Sequence, residues 1–223
     1  MYIVGLDLGQ AKDFTALCVV ERTEMPTEGP IPCLEGRYAV RYLRRWPLGS
    51  RYPSIVADVL TLLDTSPLDR ITVPLVIDLT GVGRAIGDLF DQGGIPTRGV
   101  TITGGLEANT ADPFNIKVPK RDLVSTLIAH FQLGRLKIAD GLELTPTLLH
   151  ELANFKMKVN PDTGHETFEA WRESIHDDLL LATALACWWG QTFGQQQEQV
   201  PAYSTGRDRH VRVEQRRGFR PHG

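Results

Sequence analysis

The amino-acid sequence predicts an α/β protein with a mixed five-stranded sheet flanked by helices. Three β-rich segments come first, and the turn between the first two is so short that these strands are expected to pair antiparallel. Short apolar runs then alternate with segments of helical period, which is typical of parallel strands joined by crossover helices. A last pair of strand-like segments flanks the turn Pro161–Gly164 and predicts a late β-hairpin.

The predicted strands and helices follow from the spacing of apolar residues and from the glycines and prolines between them. Residues 23–35 carry four prolines or glycines and are expected to form a loop. In the predicted order, the first strand lies between the second strand and the first parallel strand. The predicted strands are Tyr2–Leu8, Phe14–Glu21, Tyr38–Trp46, Val73–Asp78, Thr97–Ile102 and the short Leu136–Ile138, with Lys156–Val159 and Thr167–Trp171 in the hairpin; the predicted helices are Pro53–Leu63, Arg84–Phe90, Pro119–Leu133, Leu144–Ala153 and Ser174–Trp189.

Length and composition predict one domain with a tail. A chain of 223 residues with 42% hydrophobic residues is long enough for one sizeable core, which we assign to residues 1–192. Residues 193–223 are rich in glutamine and then carry six arginines with few apolar residues. We expect this segment to be a flexible C-terminal tail, disordered when it is free.

Charge and cysteine content limit the classes of function. The 24 basic and 27 acidic residues give a net charge of -3, so any contact with nucleic acid must come from local patches. The three cysteines lie far apart, which argues against a zinc knuckle or a disulfide framework and fits a reducing cytoplasm. Neither a signal peptide nor a membrane span is expected, and so no membrane partner. We expect a cytoplasmic protein.

Acidic residues end or begin three apolar elements. Asp7 ends the first strand and Asp78 the first parallel strand, and these strands are predicted neighbours. Two carboxylates that lie close together repel each other unless a cation intervenes. Asp177 and Asp178 open the last helix, whose next turn is apolar. The sequence therefore predicts an all-oxygen site for Mg²⁺ or Mn²⁺ at one edge of the sheet.

Each acidic residue also has a plain structural interpretation. Asp7 is compatible with a turn before Gly9, and Asp78 with a cap on the following helix. Ser174 and Asp177 have the spacing of a capping box. These interpretations do not explain why three acidic sites occur in an order that brings them together, so we favour the metal site.

Several sequence strings resemble the nuclease domain of phage terminase large subunits. These strings are GLDLGQAKDFTAL, VIDLTGVG, VPKRDLVSTL with GRLKI, and HDDLLLATALA, and the resemblance runs from about residue 3 to residue 190. It implies a ribonuclease H-like fold and a two-metal endonuclease that cuts duplex DNA during viral genome packaging. Carried over by position, Asp7, Asp78 and one or both of Asp177 and Asp178 become catalytic ligands of two Mg²⁺ or Mn²⁺ ions.

The chain departs from that family in one respect. Terminase large subunits carry an ATPase motor, and this sequence has no G-x-x-x-x-G-K-[ST] phosphate loop. The motor is then a separate polypeptide, or this is an excised domain, or the protein is a relative that only cuts DNA. The resemblance implies double-stranded DNA as a partner, together with a separate packaging ATPase, a small terminase subunit and a portal.

Basic residues near the helix start at residue 119 and on the late hairpin are candidates for binding DNA phosphates. A solvated basic turn is the plain alternative for the first group. The candidates are Lys117, Lys120, Arg121, Lys156 and Lys158.

Three other functions remain open at this point. A Holliday-junction resolvase of the same fold would use a similar carboxylate cluster but prefer four-way junctions. An actin-type or sugar-kinase-type ATPase would use Asp7-Leu8-Gly9 and the turn Asp78–Gly83 as phosphate loops, and nucleotide would stabilise it. A DNA-docking module would bind DNA regardless of the acidic residues.

Overall fold

The structure, a computed structural model, describes residues 1–10, 12–27, 33–70, 72–112, 116–159, 166–170 and 176–197, with the backbone alone for 156–159, 166–170 and 195–197. The described residues form strands β1 (Tyr2–Asp7), β2 (Ala16–Pro26), β3 (Leu34–Arg45), β4 (Leu75–Asp78), β5 (Thr97–Thr103), β6 (Ile116–Pro119), β7 (Leu136–Ile138), β8 (Phe155–Val159) and β9 (Glu166–Ala170), and helices α1 (Tyr52–Leu63), α2 (Gly83–Gln92), α3 (Lys120–Gln132), α4 (Thr145–Asn154) and α5 (Asp178–Gln197).

The main sheet of the described chain is mixed and has helices on both faces. Its strand order is β6-β5-β4-β1-β2-β3-β7. Strand β1 pairs antiparallel with β2 and parallel with β4, so its predicted central position is confirmed. Of the seven strands, β2 alone runs opposite to the others. The predicted α/β class, a mixed sheet flanked by helices, is therefore confirmed.

The sheet has seven strands in the described chain, two more than the five predicted. Strand β7 was predicted as a short strand, and it lies at one edge, parallel to β3. Strand β6 at the other edge was not predicted, because the segment was assigned to the approach to the following helix. Its alternating pattern places Ile116 and Val118 in the core and Lys117 in solvent, and it pairs with β5. The α3 helix accordingly begins at Lys120.

The hairpin of β2 and β3 is longer than the sequence predicted. Its ladder continues to the pair Pro26 and Leu34, so part of the predicted loop at residues 23–35 is strand. The cause is the continued alternation of exposed and half-buried residues, with the proline tolerated at the last position of the strand. Residues 28–32 lie outside the described part.

Two hydrophobic cores sandwich the sheet. Helices α3 and α5 cover one face, and α1 and α2 cover the other. The α5 helix approaches β1 so closely that a Cβ atom at Gly5 would lie 2.0 Å from the carbonyl oxygen of Ala182. Glycine at position 5 therefore permits this contact, and Asp178, one turn before Ala182, is brought to the edge at which β1 ends.

The start of α5 differs from the predicted helix start at Ser174. Asp178 is the first helical residue, and the Asp177 carbonyl accepts a hydrogen bond from Leu181 N at 2.9 Å, so Asp177 lies at the cap position. Ser174 lies outside the described residues, and so the proposed capping box is untested.

The hairpin and the tail complete the description of the chain. Strands β8 and β9 pair antiparallel, which confirms the late hairpin. The predicted domain boundary after residue 192 falls within α5, and residues 198–223 of the predicted tail lie outside the described part, so this division stays a prediction. None of the described helices is both long and apolar enough to span a membrane.

Candidate active site

The four predicted acidic residues lie around one cleft. The parallel register pairs Leu6 with Ile77, so Asp7 and Asp78 leave neighbouring strands at the same edge of the sheet. Asp177 and Asp178 reach this edge from the start of α5. The cleft has a volume of about 310 Å³ and is lined by these four residues together with Leu8, Gly9, Gln10, Asp13, Thr80, Gly81, His176 and Leu181.

Asp7 is the most electrostatically perturbed member of the group. Its residue surface is 8% exposed, and burial raises the pKa of its carboxyl well above the usual value. The negative charges of Asp78, Asp178 and Asp177 raise this pKa further, and only Lys120 acts in the opposite direction. Asp7 therefore needs a proton or a cation to be stable in this position.

Asp78 is held in a turn. Burial raises its pKa, and hydrogen bonds from Thr80 oppose that rise, including one from the backbone N–H to Oδ1 at 2.8 Å. A Cβ atom at Gly83 would lie 1.9 Å from the Asp78 carbonyl oxygen, so this glycine is required by the tight link into α2. The residue at the cap of α2 is Val82, and the interpretation of Asp78 as a cap of that helix is wrong.

Asp177 and Asp178 are each paired with a basic side chain. Lys120 Nζ lies 2.7 Å from Asp177 Oδ2. An Arg45 terminal nitrogen lies 2.7 Å from Asp178 Oδ2 and 3.7 Å from Glu151 Oε1. Burial raises the pKa of Asp178, and the Arg45 guanidinium partly offsets that rise.

The donors suit a hard divalent cation in chemistry but not in their present orientation. The four predicted aspartates and Asp13 line one cleft, and oxygen donors of this kind are what Mg²⁺ and Mn²⁺ prefer. As they are oriented, however, no three His, Cys, Asp or Glu side chains of the described part come close enough together to hold a metal ion. Two of these aspartates, Asp177 and Asp178, are instead engaged in ion pairs with Lys120 and Arg45.

An aromatic ring supports the wall of the cleft. The Arg45 guanidinium carbon lies 3.8 Å from the ring centroid of Phe14, within the range of a cation–π contact. The His176 ring meets the same phenyl ring edge to face, with centroids 4.8 Å apart. His176 thus has a packing partner beside Asp177, and Phe14 links the loop after β1 to the start of α5.

Three of the predicted DNA-binding residues have described side chains, and each has a different environment. Lys120 pairs with the cleft residue Asp177, while Lys117 is exposed on the edge strand β6. Arg121 donates a hydrogen bond to the Leu106 carbonyl and a longer one to Asp122. The side chains of the remaining two candidates, Lys156 and Lys158, lie outside the described residues.

Comparisons with known proteins add little to this geometry. No protein-family model and no curated protein matches the sequence. Among solved structures, the chain is similar to RuvC from Thermus thermophilus. The two share 15% sequence identity at a TM-score of 0.41, over 88% of this chain and 96% of that one. A likeness at this level bears on neither activity nor substrate, and the assignment of the site rests on the residues around the cleft.

Sequence inspection missed two charged residues of the site. Arg45 ends β3 and Glu151 lies on α4, where it is 2% exposed. Glu151 was detectable, because it stands three residues after Leu148 on the apolar face of a helix, a position where a charge needs a partner. Arg45 had no comparable signal, since Arg44 precedes it and only the register of the sheet distinguishes the two.

Proposed function

We propose that this chain is a metal-dependent nuclease that hydrolyses phosphodiester bonds of DNA. The observation that carries the proposal is the convergence of Asp7, Asp78, Asp177 and Asp178 on one open cleft at the edge where β1 and β4 end. Asp7 is buried there among like charges, an arrangement that structural carboxylates avoid unless a cation is bound.

The acidic cleft also explains why the activity would need a cation. The phosphates of DNA are negatively charged and would be repelled by four carboxylates. Mg²⁺ or Mn²⁺ held by these aspartates would neutralise that charge and supply an activated water for attack on the phosphate. In this proposal the ligands are Asp7 and Asp78, joined by Asp177 and Asp178.

The other residues of the cleft position these carboxylates. The backbone N–H of Thr80 fixes one oxygen of Asp78, which leaves the second oxygen for another partner. Lys120 and Arg45 hold the two acidic residues at the start of α5 and keep the cluster from excessive repulsion. The exposed residues Gln10 and Gly81 lie at the rim, where a DNA backbone would approach.

The substrate proposal is duplex DNA, cut during viral genome packaging, and it is supported by the sequence resemblance to terminase nuclease domains. A packaging ATPase, a small terminase subunit and a portal are the partners that go with it. Four-way junction DNA is the alternative substrate for a nuclease of this fold, and substrate preference separates the two.

The first experiment measures nicking of supercoiled plasmid in Mn²⁺, with and without a chelator. The Asp78→Asn variant should lose at least about 100-fold in rate, which is about 3 kcal/mol of transition-state stabilisation. Asp88→Asn makes the same change at an exposed position on α2 and should cut at the wild-type rate. If the Asp78→Asn protein folds and still nicks DNA at nearly the wild-type rate, the site is wrongly assigned.

The second experiment compares linear duplex with an immobile four-way junction of the same total length. Cleavage of the linear duplex at an equal or higher rate supports the packaging role. Symmetric cleavage of the junction with little cutting of the duplex would replace that role with junction resolution, while the metal site would stand.

A further inference from the structure

Arg45 lies between two acidic side chains, one of which, Asp178, lines the cleft. Its side chain is 17% exposed, that of Asp178 is 6% exposed and that of Glu151 is 2% exposed. A terminal nitrogen of Arg45 binds Asp178 at 2.7 Å and lies 3.7 Å from Glu151 Oε1. One guanidinium therefore faces two carboxylates and makes a short contact with only one of them.

Two atoms of this network, one donor and one acceptor, lack a hydrogen bond within the described part of the chain. They are Arg45 Nε and Glu151 Oε1, and both are buried. A buried polar atom without a partner is destabilising, and in native proteins such atoms are uncommon. A small shift of the guanidinium towards Glu151 would satisfy this acceptor.

The surroundings decide which of the two groups moves. Glu151 is fixed, because its Oε2 accepts a hydrogen bond from the Leu180 backbone N at 2.8 Å, within the first turn of α5. Arg45 instead lies over the flat face of Phe14, with 3.8 Å between the guanidinium carbon and the ring centroid. A guanidinium on a ring face can slide sideways without losing that contact.

We propose that Arg45 is a positioning residue that changes partner: it neutralises Asp178 in the metal-free protein and passes to Glu151 when Asp178 turns to bind a divalent cation. This inference rests on the proposed metal site. It explains the orientation of Asp178 and gives the buried Glu151 a role. Lys120 differs from Arg45, because within the described residues its ion pair is with Asp177, while its charge acts on Asp7 and Asp78 without a direct contact.

Nuclear magnetic resonance of the arginine Nε–H groups tests the change of partner in the DNA-free protein. Saturating Mg²⁺ should shift the Arg45 Nε–H resonance and slow its exchange with solvent. In Asp178→Asn, Arg45 has lost its first partner, so the resonance should lie near the metal-bound position without any Mg²⁺. The Arg44→Gln variant removes the neighbouring arginine, whose partner is Asp58 on α1, and should leave the Mg²⁺ response of Arg45 intact.

Calorimetric titration with Mn²⁺ adds a thermodynamic test. Glu151→Gln removes the second partner and should weaken Mn²⁺ binding by about tenfold, the loss expected for one hydrogen bond to a charged group. In an Arg45→Gln background the same Glu151→Gln change should alter binding by less than about twofold, because Glu151 acts through Arg45.

The outcomes separate this inference from the proposed function. If the wild-type protein binds Mn²⁺ and the Arg45 resonance does not respond to Mg²⁺, the inference is overturned and the metal site stands. A full effect of Glu151→Gln in the Arg45→Gln background would also overturn it, since Glu151 would then act by its charge alone. Failure of the wild-type protein to bind either ion would overturn the metal site itself. If Glu151→Gln does not fold, the Asp178→Asn spectrum decides.

Discussion

Replacing Asp7 with asparagine should remove activity and at the same time stabilise the metal-free protein. Asp7 is buried, and the charges that raise its pKa come from Asp78, Asp178 and Asp177, opposed by Lys120. An aspartate in an unfolded chain has a pKa of about 3.9. Between that value and the raised pKa, the native protein holds a proton that the unfolded chain has released, so its stability falls as the pH rises through this window.

The size of the effect follows from the same linkage. Each unit by which folding raises the pKa of Asp7 lowers the free energy of unfolding at neutral pH by about 1.4 kcal/mol. Asparagine keeps the shape of the side chain and carries no charge, so that loss is recovered. For a domain of this size, each kcal/mol recovered raises the Tm by about 2–4 °C. Cleavage in Mn²⁺ should meanwhile fall at least about 100-fold.

The assay is thermal unfolding in a chelator at pH 7.5 and at pH 4.5, with Asp88→Asn as the control for the chemical change. The gain in Tm of Asp7→Asn should be larger at pH 7.5 and shrink at pH 4.5, where part of the wild-type population holds the proton. Asp88→Asn should change the Tm little at either pH. An Asp7→Asn protein that is less stable than wild type at pH 7.5 would refute the claim that repulsion and burial dominate at this position.

Three further changes test other parts of the structure. Gly5→Ala places a Cβ against the Ala182 carbonyl and should lower the free energy of unfolding by about 1–3 kcal/mol, measured by urea denaturation. Lys120→Gln breaks a partly exposed ion pair with Asp177 and should cost less than about 1 kcal/mol in chelator; a larger loss would mean that the pair is structural. Deletion of residues 198–223 removes six arginines and should weaken DNA binding and flatten its dependence on salt; unchanged binding would exclude the tail from the interface.

The pairing of Asp7 with Asp78 could be predicted from the sequence because two simple rules determine it. A short turn after the first strand forces an antiparallel neighbour, and a wholly apolar run after a helix indicates a parallel strand in the sheet centre. Both aspartates then follow the last apolar residue of their strands. No side-chain contact enters this reasoning, and the observed register of β1 and β4 agrees with it.

The ion pairs at the cleft could not be predicted in this way. Lys120 was identified as a phosphate-binding candidate because it lies near a helix start among other basic residues. Its actual contact with Asp177 depends on β6, a strand of four residues that was assigned to the helix approach. Without that strand, the sequence gives no reason for Lys120 to reach the edge at which β1 ends.

The directions of the seven strands explain why both basic residues, Arg45 and Lys120, lie at the same edge of the sheet as Asp7. Two antiparallel steps, from β1 to β2 and from β2 to β3, return the chain to its first direction, so Arg45 at the end of β3 reaches the same edge as Asp7. Parallel pairing from β4 through β5 to β6 brings Lys120 to that edge from the other side. Arg45 therefore ends a strand two positions from β1, and Lys120 follows a strand two positions from β4. The start of α5 lies between these two basic residues. A charge reversal at either position would place a like charge beside the partner aspartate at the start of α5. We therefore expect Arg45→Glu to disturb the cleft far more than Arg44→Glu, because the partner of Arg44 is Asp58 on α1.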